Sequence, residues 1–165
     1  MSIQLTNSAK KVQEFLQENS FSCTVKELPD STRTADEAAK AIGCEVAQIA
    51  KSLIFIDKAT GNPILVIASG VNQVDVKKIE NTTGLHLIKA DGKYVKEKVG
   101  FAIGGVPPLG HNEKIQTYLD PDLKGYEWIW AAAGTPNAVF RLASSEIEEM
   151  TQGKFIDLKV DNVKN

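Results

Sequence analysis

The stretch from Gly100 to His111 restricts the possible folds of this chain more than any other part of the sequence. It holds four glycines and two adjacent prolines within twelve residues. Proline fixes φ and has no amide donor, whereas glycine adopts backbone conformations that are closed to other residues. The stretch therefore predicts a loop that is rigid at Pro107–Pro108 and allows close backbone approach at Gly104–Gly105.

Apolar residues surround these glycines and prolines, so we expect the loop to pack against a core: Phe101, Ala102, Ile103, Val106 and Leu109. A stiff, half-buried loop with free backbone amides suits the binding of a carbonyl oxygen, an oxyanion or a phosphate. A plain buried turn between two strands accounts for the same residues. The loop alone leaves both interpretations open.

Size, charge and cysteine content narrow the class of protein. A chain of 165 residues fits one domain, and its net charge of −2 gives no global attraction to nucleic acid or to a membrane. Cys23 and Cys44 have no metal-ligand spacing, which favours a reducing compartment. Residues 1–7 lack the pattern of a signal peptide, and no apolar segment is long enough to span a bilayer. We expect a cytoplasmic protein that binds neither membrane nor DNA.

The remaining sequence predicts about seven strands with helices between them. The strongest pair is Lys51–Asp57 and Pro63–Ser69, two apolar runs joined by a short glycine-containing turn. Capping boxes at Thr34 with Glu37 and at Ser145 with Glu148 predict two helix starts, and a frayed tail is expected from Val160 onward. Hairpin-like connections favour an α+β fold with a mixed, largely antiparallel sheet.

Few residues have an obvious chemical role. Lys51 stands where a predicted helical turn meets a strongly apolar strand, so it either extends to water or places a cation at the mouth of a pocket. His111 follows the loop as a possible acid or base, but a structural role is at least as consistent with its position. No motif for a nucleophilic serine, a zinc protease or a phosphate-binding loop is present. Gly134–Asn137 is a second rigid turn, either a pocket wall or a simple hairpin.

Three segments together resemble the YbaK/EbsC family, the free-standing relatives of the editing domain of bacterial prolyl-tRNA synthetase. They are Ser31–Ala39, Ala50–Phe55 and Phe101–His111, and Ala133–Phe140 resembles one free-standing branch. Lys51 matches the essential lysine of the family. Gly104 and Pro108 match its G-x-x-x-P loop.

The resemblance implies a single editing domain over residues 1–165, with a core from about 31 to 158 and a partly barrel-like sheet. The implied activity is hydrolysis of a mischarged aminoacyl-tRNA at its 3′ end, with tRNA for proline carrying alanine or cysteine as the typical substrate. No metal, cofactor or protein nucleophile is implied. An aminoacyl-tRNA synthetase is a possible partner, because the near-neutral charge predicts weak tRNA binding by the chain alone.

The resemblance also implies roles for individual residues. Lys51 would anchor the terminal adenosine or its phosphate, and the loop at Gly104, Gly105 and Pro108 would hold and polarise the ester carbonyl. A water molecule, helped by the neighbouring ribose hydroxyl, would attack. Further substrate contacts are expected from residues around the pocket: Thr34, Ile103, Val106, Pro107, His111, Gly134 and Thr135.

Two segments differ from the cysteine-specific branch of the family. They are Val106–Pro108 within the loop and Gly134–Asn137 in the later turn. Both are expected in pocket walls, so the amino acid that is removed stays open. The alternative function is a non-catalytic ligand-binding or regulatory protein with the same fold.

Overall fold

The computed structural model describes residues 5–161. Most of the segment expected to lack a signal pattern (1–7) and most of the expected tail (160–165) lie outside this range. Within it the chain forms five helices: α1 (Asn7–Glu18), α2 (Ala35–Ile42), α3 (Val76–Thr83), α4 (Gly92–Val99) and α5 (Ile147–Thr151). It also forms eight strands: β1 (Val25–Glu27), β2 (Ile49–Asp57), β3 (Pro63–Ser69), β4 (Leu87–Lys89), β5 (Gln116–Leu119), β6 (Trp128–Ala132), β7 (Ala138–Ala143) and β8 (Lys154–Phe155).

All eight strands belong to one mixed sheet. Its order is β1-β7-β6-β2-β3-β5-β8, and β4 pairs with the far end of β2. The predicted hairpin is confirmed, since β2 and β3 pair antiparallel from Ala50 with Ser69 to Ile56 with Pro63. The β2–β6, β3–β5 and β5–β8 pairs are parallel and the other four are antiparallel. The predicted α+β class with a mixed, largely antiparallel sheet is therefore confirmed.

The sheet curls around one large apolar cluster. Side chains from strands at both ends of the sheet order meet in it, from Val25 on β1 to Phe155 on β8, which packs against the cluster. Helix α1 covers this cluster through Val12 and Leu16, which are fully buried. Because β1 and β8 do not pair with each other in the described part of the chain, the barrel is only partial.

The outer face of the sheet carries two smaller clusters. Helix α3 packs Ile79 against β3, and α2 packs Ala38 and Ala39 against Ile49 at the start of β2. No described helix is long and apolar enough to cross a membrane. Helix α2 helps to form the candidate site, because its first turn lies beside the start of β2.

One of the two predicted capping boxes is present. The Thr34–Glu37 capping box is present, with the Glu37 amide donating to Thr34 Oγ1 at 3.1 Å. The predicted box at Ser145 and Glu148 is wrong. A 3₁₀ turn begins directly after β7, and the Ala143 amide donates to the Glu146 carboxylate at 2.9 Å. The Ser144 amide already donates to the Glu127 carbonyl, so the chain turns earlier than the box requires.

Candidate functional site

A cavity of about 450 Å³ lies where the first turn of α2, the start of β2 and the glycine-proline loop meet. Five of the site residues predicted from the sequence line this cavity: Thr34, Lys51, Ile103, Gly104 and Val106. The opposite wall comes from β6 and β7, chiefly Trp130, Ala132 and Val139. The fold therefore brings the family lysine and the family glycine, which are far apart in sequence, to one cavity.

Lys51 is a cation without a partner in this cavity. Its side chain is half-buried on β2, and it forms no hydrogen bond or ion pair with another residue in the range 5–161. Burial lowers the pKa of Lys51, and the carboxylates of Asp120 and Asp36 partly oppose this shift. A half-buried ammonium group with free donors suits a phosphate or an ester oxygen.

Asp120 acts electrostatically on Lys51 but does not line the cavity. It is buried, and its carboxylate accepts hydrogen bonds from the Ser69 amide at 3.0 Å and from Asn72 Nδ2 at 2.7 Å. The Asp122 amide donates a third at 2.9 Å. These hydrogen bonds hold the carboxylate in place and occupy both of its oxygens. Asp120 therefore affects Lys51 electrostatically and is not placed to bind a ligand.

The loop opens with a tight turn from Ala102 to Gly105. The Gly105 amide donates to the Ala102 carbonyl at 2.9 Å, and Gly104 has a φ of +88°, as the third residue of a type II turn requires. The amides of Ile103, Gly104 and Val106 donate to no other described residue. Three free backbone donors thus belong to residues that line the cavity.

Gly104 leaves no room for a side chain. A Cβ atom there would lie 2.6 Å from Cγ of Arg33, which lines the same cavity. The combination of positive φ and this contact makes glycine the residue that the site requires.

Gly105 has a different role from the one expected of it. Its amide is already bonded within the turn, so it has no donor for an ester carbonyl. Its carbonyl accepts from the Gly134 amide at 2.8 Å, and a Cβ at Gly105 would lie 2.8 Å from the backbone of Thr135. Gly105, Gly134 and Thr135 therefore lock the loop to the turn behind it and do not line the cavity.

Pro107, Pro108 and His111 also lie away from Lys51. Pro108 and His111 line a second cavity of about 510 Å³, beside Phe15 of α1. The His111 ring donates through Nε2 to the Pro107 carbonyl at 2.6 Å and meets the Phe101 ring edge-on. These residues stiffen the loop, and they do not line the cavity that contains Lys51, so a contact between them and a ligand of Lys51 stays a prediction.

Stability at mildly acidic pH tests this structural role of His111. Burial lowers the pKa of His111, so the folded chain binds the proton less readily than the unfolded chain does. Stability is therefore complete above the ordinary histidine pKa of about 6.5 and falls as the pH drops below it. We expect the melting temperature to fall more between pH 7 and pH 5 in the wild type than in His111→Gln, which keeps an N–H donor. Equal profiles for the two proteins would contradict this role, and His86→Gln, at an exposed histidine, controls for the loss of a ring.

Sequence reasoning missed three residues of this site. Arg33 and Trp130 line the cavity, and Ser52 lines both it and an adjoining cavity of about 200 Å³. Ser52 Oγ is the single buried side-chain oxygen or nitrogen without a partner among the described residues. Arg33 and Ser52 are sequence neighbours of predicted site residues, so their positions could have suggested them. The position of Trp130 depends on the pairing of β6 with β2, which no local pattern shows.

No group of three metal-ligating side chains occurs in residues 5–161.

The chain is a partly barrel-like α+β domain with a cavity that contains both an unpaired lysine and residues with free loop amides. These groups are chemically suited to an anionic or carbonyl-bearing ligand. The family model for the aminoacyl-tRNA editing domain matches residues 29–150. This chain belongs to the aminoacyl-tRNA editing domain family, and the resemblance drawn from its sequence is confirmed.

Individual relatives cover most of the chain. YwhH of Bacillus subtilis, a protein described as uncharacterized, is 34% identical over 139 residues, which are 83% of this chain and 87% of that protein. EbsC of Enterococcus faecalis, named as a candidate Cys-tRNA(Pro)/Cys-tRNA(Cys) deacylase, is 28% identical over 131 residues and 76% of each chain. A crystal structure of a candidate trans-editing enzyme for prolyl-tRNA synthetase is 46% identical, with a TM-score of 0.89 over 96% of this chain and all of that one.

Proposed function

We propose that this protein is a trans-acting aminoacyl-tRNA deacylase, which hydrolyses the ester of a mischarged tRNA and releases the free amino acid. The observation that carries the proposal is the shared cavity of Lys51 and Gly104. Lys51 lacks a protein partner there, and the amides of Gly104 and Val106 are free. Family membership and the names of EbsC and of the trans-editing structure support the same reaction class.

In this mechanism the protein supplies placement and polarisation. The free amides at Gly104 and Val106 hold the ester carbonyl and stabilise the negative charge that develops on its oxygen. Lys51 anchors the terminal adenosine through its phosphate. Water adds to the carbonyl carbon, the bond from that carbon to the ribose oxygen breaks, and the ribose oxygen takes up a proton. The products are a free amino acid and an uncharged tRNA.

The substrate itself supplies the group that orients the water. No histidine or cysteine lines the cavity, and Thr34 Oγ1 is engaged by the Glu37 amide. Ser52 lines the cavity with an Oγ that has no partner among the described residues, but no histidine base accompanies it there. The free hydroxyl of the terminal ribose stands next to the ester, and a group held within about 3 Å of the water reacts with high effective molarity. Asp36 is the one carboxylate among the residues that line the cavity.

The names of two relatives support a substrate class. We propose tRNA for proline carrying a small wrong amino acid, which fits a cavity of about 450 Å³. The whole chain then acts as one editing unit in the cytoplasm, with a synthetase as the source of its substrate. Retention of both Lys51 and Gly104 favours catalysis over the non-catalytic alternative, in which neither would be required.

A substrate without the second ribose hydroxyl tests the proposed function and its mechanism together. We expect mischarged tRNA to be deacylated well above its spontaneous rate, and the variant substrate to bind normally but to react at least about a hundredfold more slowly. Amino acid release under single-turnover conditions measures both. If the ordinary substrate is not hydrolysed, the function is wrong; if both react equally, the ribose hydroxyl is not involved and Asp36 becomes the candidate base.

A further inference from the structure

Both tryptophans of the chain lie on one strand and on one face of the sheet. Trp128 and Trp130 are two residues apart on β6, so their side chains point the same way. Ile129 between them is fully buried in the core, whereas Trp128 is 39% exposed. The indole rings therefore lie on the outer face of the sheet, where Trp128 leaves part of its aromatic surface open to solvent.

Two cations accompany the indole rings. Arg141 of β7 lies opposite Trp130 in the register, and its guanidinium carbon is 4.1 Å from the centre of the Trp128 ring. Lys26 Nζ lies 5.9 Å from the centre of the Trp130 ring. Neither cation forms an ion pair with a carboxylate in the described part of the chain. Both are held by aromatic rings and keep their N–H donors for an anion.

This aromatic–cationic strip (Lys26, Trp128, Trp130 and Arg141) begins at the wall of the cavity that contains Lys51 and Gly104. Trp130 lines that cavity, and Trp128 follows about 6.8 Å further along β6. Trp128, Arg141 and Lys26 do not line the cavity. The strip therefore extends from the cavity across the outer face of β6, β7 and β1.

We propose that the aromatic–cationic strip binds the unpaired nucleotides that precede the terminal adenosine of the tRNA. The inference rests on the proposed function, which places that adenosine in the cavity beside Trp130. Aromatic rings that stack on bases, interleaved with cations that contact phosphates, are the combination that binds single-stranded nucleic acid. The planar guanidinium of Arg141 matches two phosphate oxygens. The strip also gives a chain of net charge −2 a local site for a polyanion.

Tryptophan fluorescence tests the strip directly, because both fluorophores belong to it. Titration with uncharged tRNA at low salt is expected to quench the emission as bases stack on the indole rings. Trp128→Ala and Arg141→Gln should each weaken the Kd about tenfold, while Trp128→Phe keeps most of the affinity. Lys58→Gln removes an exposed lysine at the β2–β3 turn, far along β2 from the cavity, and should bind as the wild type does.

Kinetics separate the strip from the cavity. Trp128→Ala and Arg141→Gln should raise the KM for mischarged tRNA about tenfold at unchanged kcat, and leave hydrolysis of aminoacylated adenosine alone unchanged. Unquenched emission in the tRNA titration, or a wild-type Kd in both variants, would overturn the proposal and point to a protein partner for this face. A wild-type protein that binds tRNA through the strip but releases no amino acid would instead contradict the deacylase function.

Discussion

Replacement of Lys51 by alanine is expected to abolish deacylation and to leave the fold intact. The ammonium group is the one cation that the proposed mechanism uses to anchor the substrate, and no described side chain pairs with it. Without this anchor the ester is no longer held against the loop amides. Misplacement of a substrate by about 1 Å costs on the order of a hundredfold in rate. Single-turnover release of amino acid from mischarged tRNA measures the loss.

Stability need not suffer in this variant, since a half-buried charge without a partner carries a desolvation cost. We expect Lys51→Met, which keeps the apolar stem of the side chain, to melt at or above the wild-type temperature and to be as inactive as Lys51→Ala. Lys58→Ala, at an exposed site on the β2–β3 turn, is the matched control and should retain full activity. Turnover near the wild-type rate in Lys51→Ala would remove Lys51 from the mechanism.

The second large effect is expected at Gly104. A methyl group there would lie 2.6 Å from Arg33 Cγ at a φ of +88°, so Arg33 or the turn must shift. Because alanine is also strained at positive φ, we expect the turn to move and to carry its free amides away from the ester carbonyl. Loss of one donor of this kind costs about 10²–10³ in rate. We therefore expect Gly104→Ala to reduce single-turnover hydrolysis by that factor while tRNA binding changes little.

Gly84→Ala separates this effect from the general cost of alanine at positive φ. Gly84 has a φ of +79° at the end of α3, and a Cβ there meets nothing within 4 Å. Both variants should lose stability, since alanine is strained at positive φ. Only Gly104→Ala should lose hydrolysis. Normal single-turnover hydrolysis with weakened tRNA binding in Gly104→Ala would show that the loop does not hold the carbonyl.

Local sequence patterns predicted most of the fold because they have local physical causes. The β2–β3 hairpin and the cap at Thr34 follow from alternation, turn residues and a side chain that accepts a backbone amide. The box at Ser145 failed because a longer-range bond from the Ser144 amide set where the chain turns. A pattern of three or four residues contains no information about a hydrogen bond between residues that are distant in sequence.

The candidate site was predictable only in part, for the same reason. Lys51 and Gly104 were recognised from short motifs, and both line the cavity. The amide of Gly105 was expected to face the ester, yet its hydrogen bond closes the turn. Trp130 was not predicted as a site residue. It reaches the cavity because β6 pairs parallel with β2, and the paired residues are some eighty positions apart in the sequence.

Amino acid release from a panel of charged tRNAs tests the central claim most directly. The purified protein, in excess and without any synthetase, is incubated with tRNA for proline carrying alanine, cysteine, serine or the correct proline. We predict release from at least one small wrong amino acid far above spontaneous hydrolysis, loss of that activity in Lys51→Ala, and little release of proline. Spontaneous rates for every charged tRNA, with normal tRNA binding, would contradict the deacylase assignment and establish a binding protein.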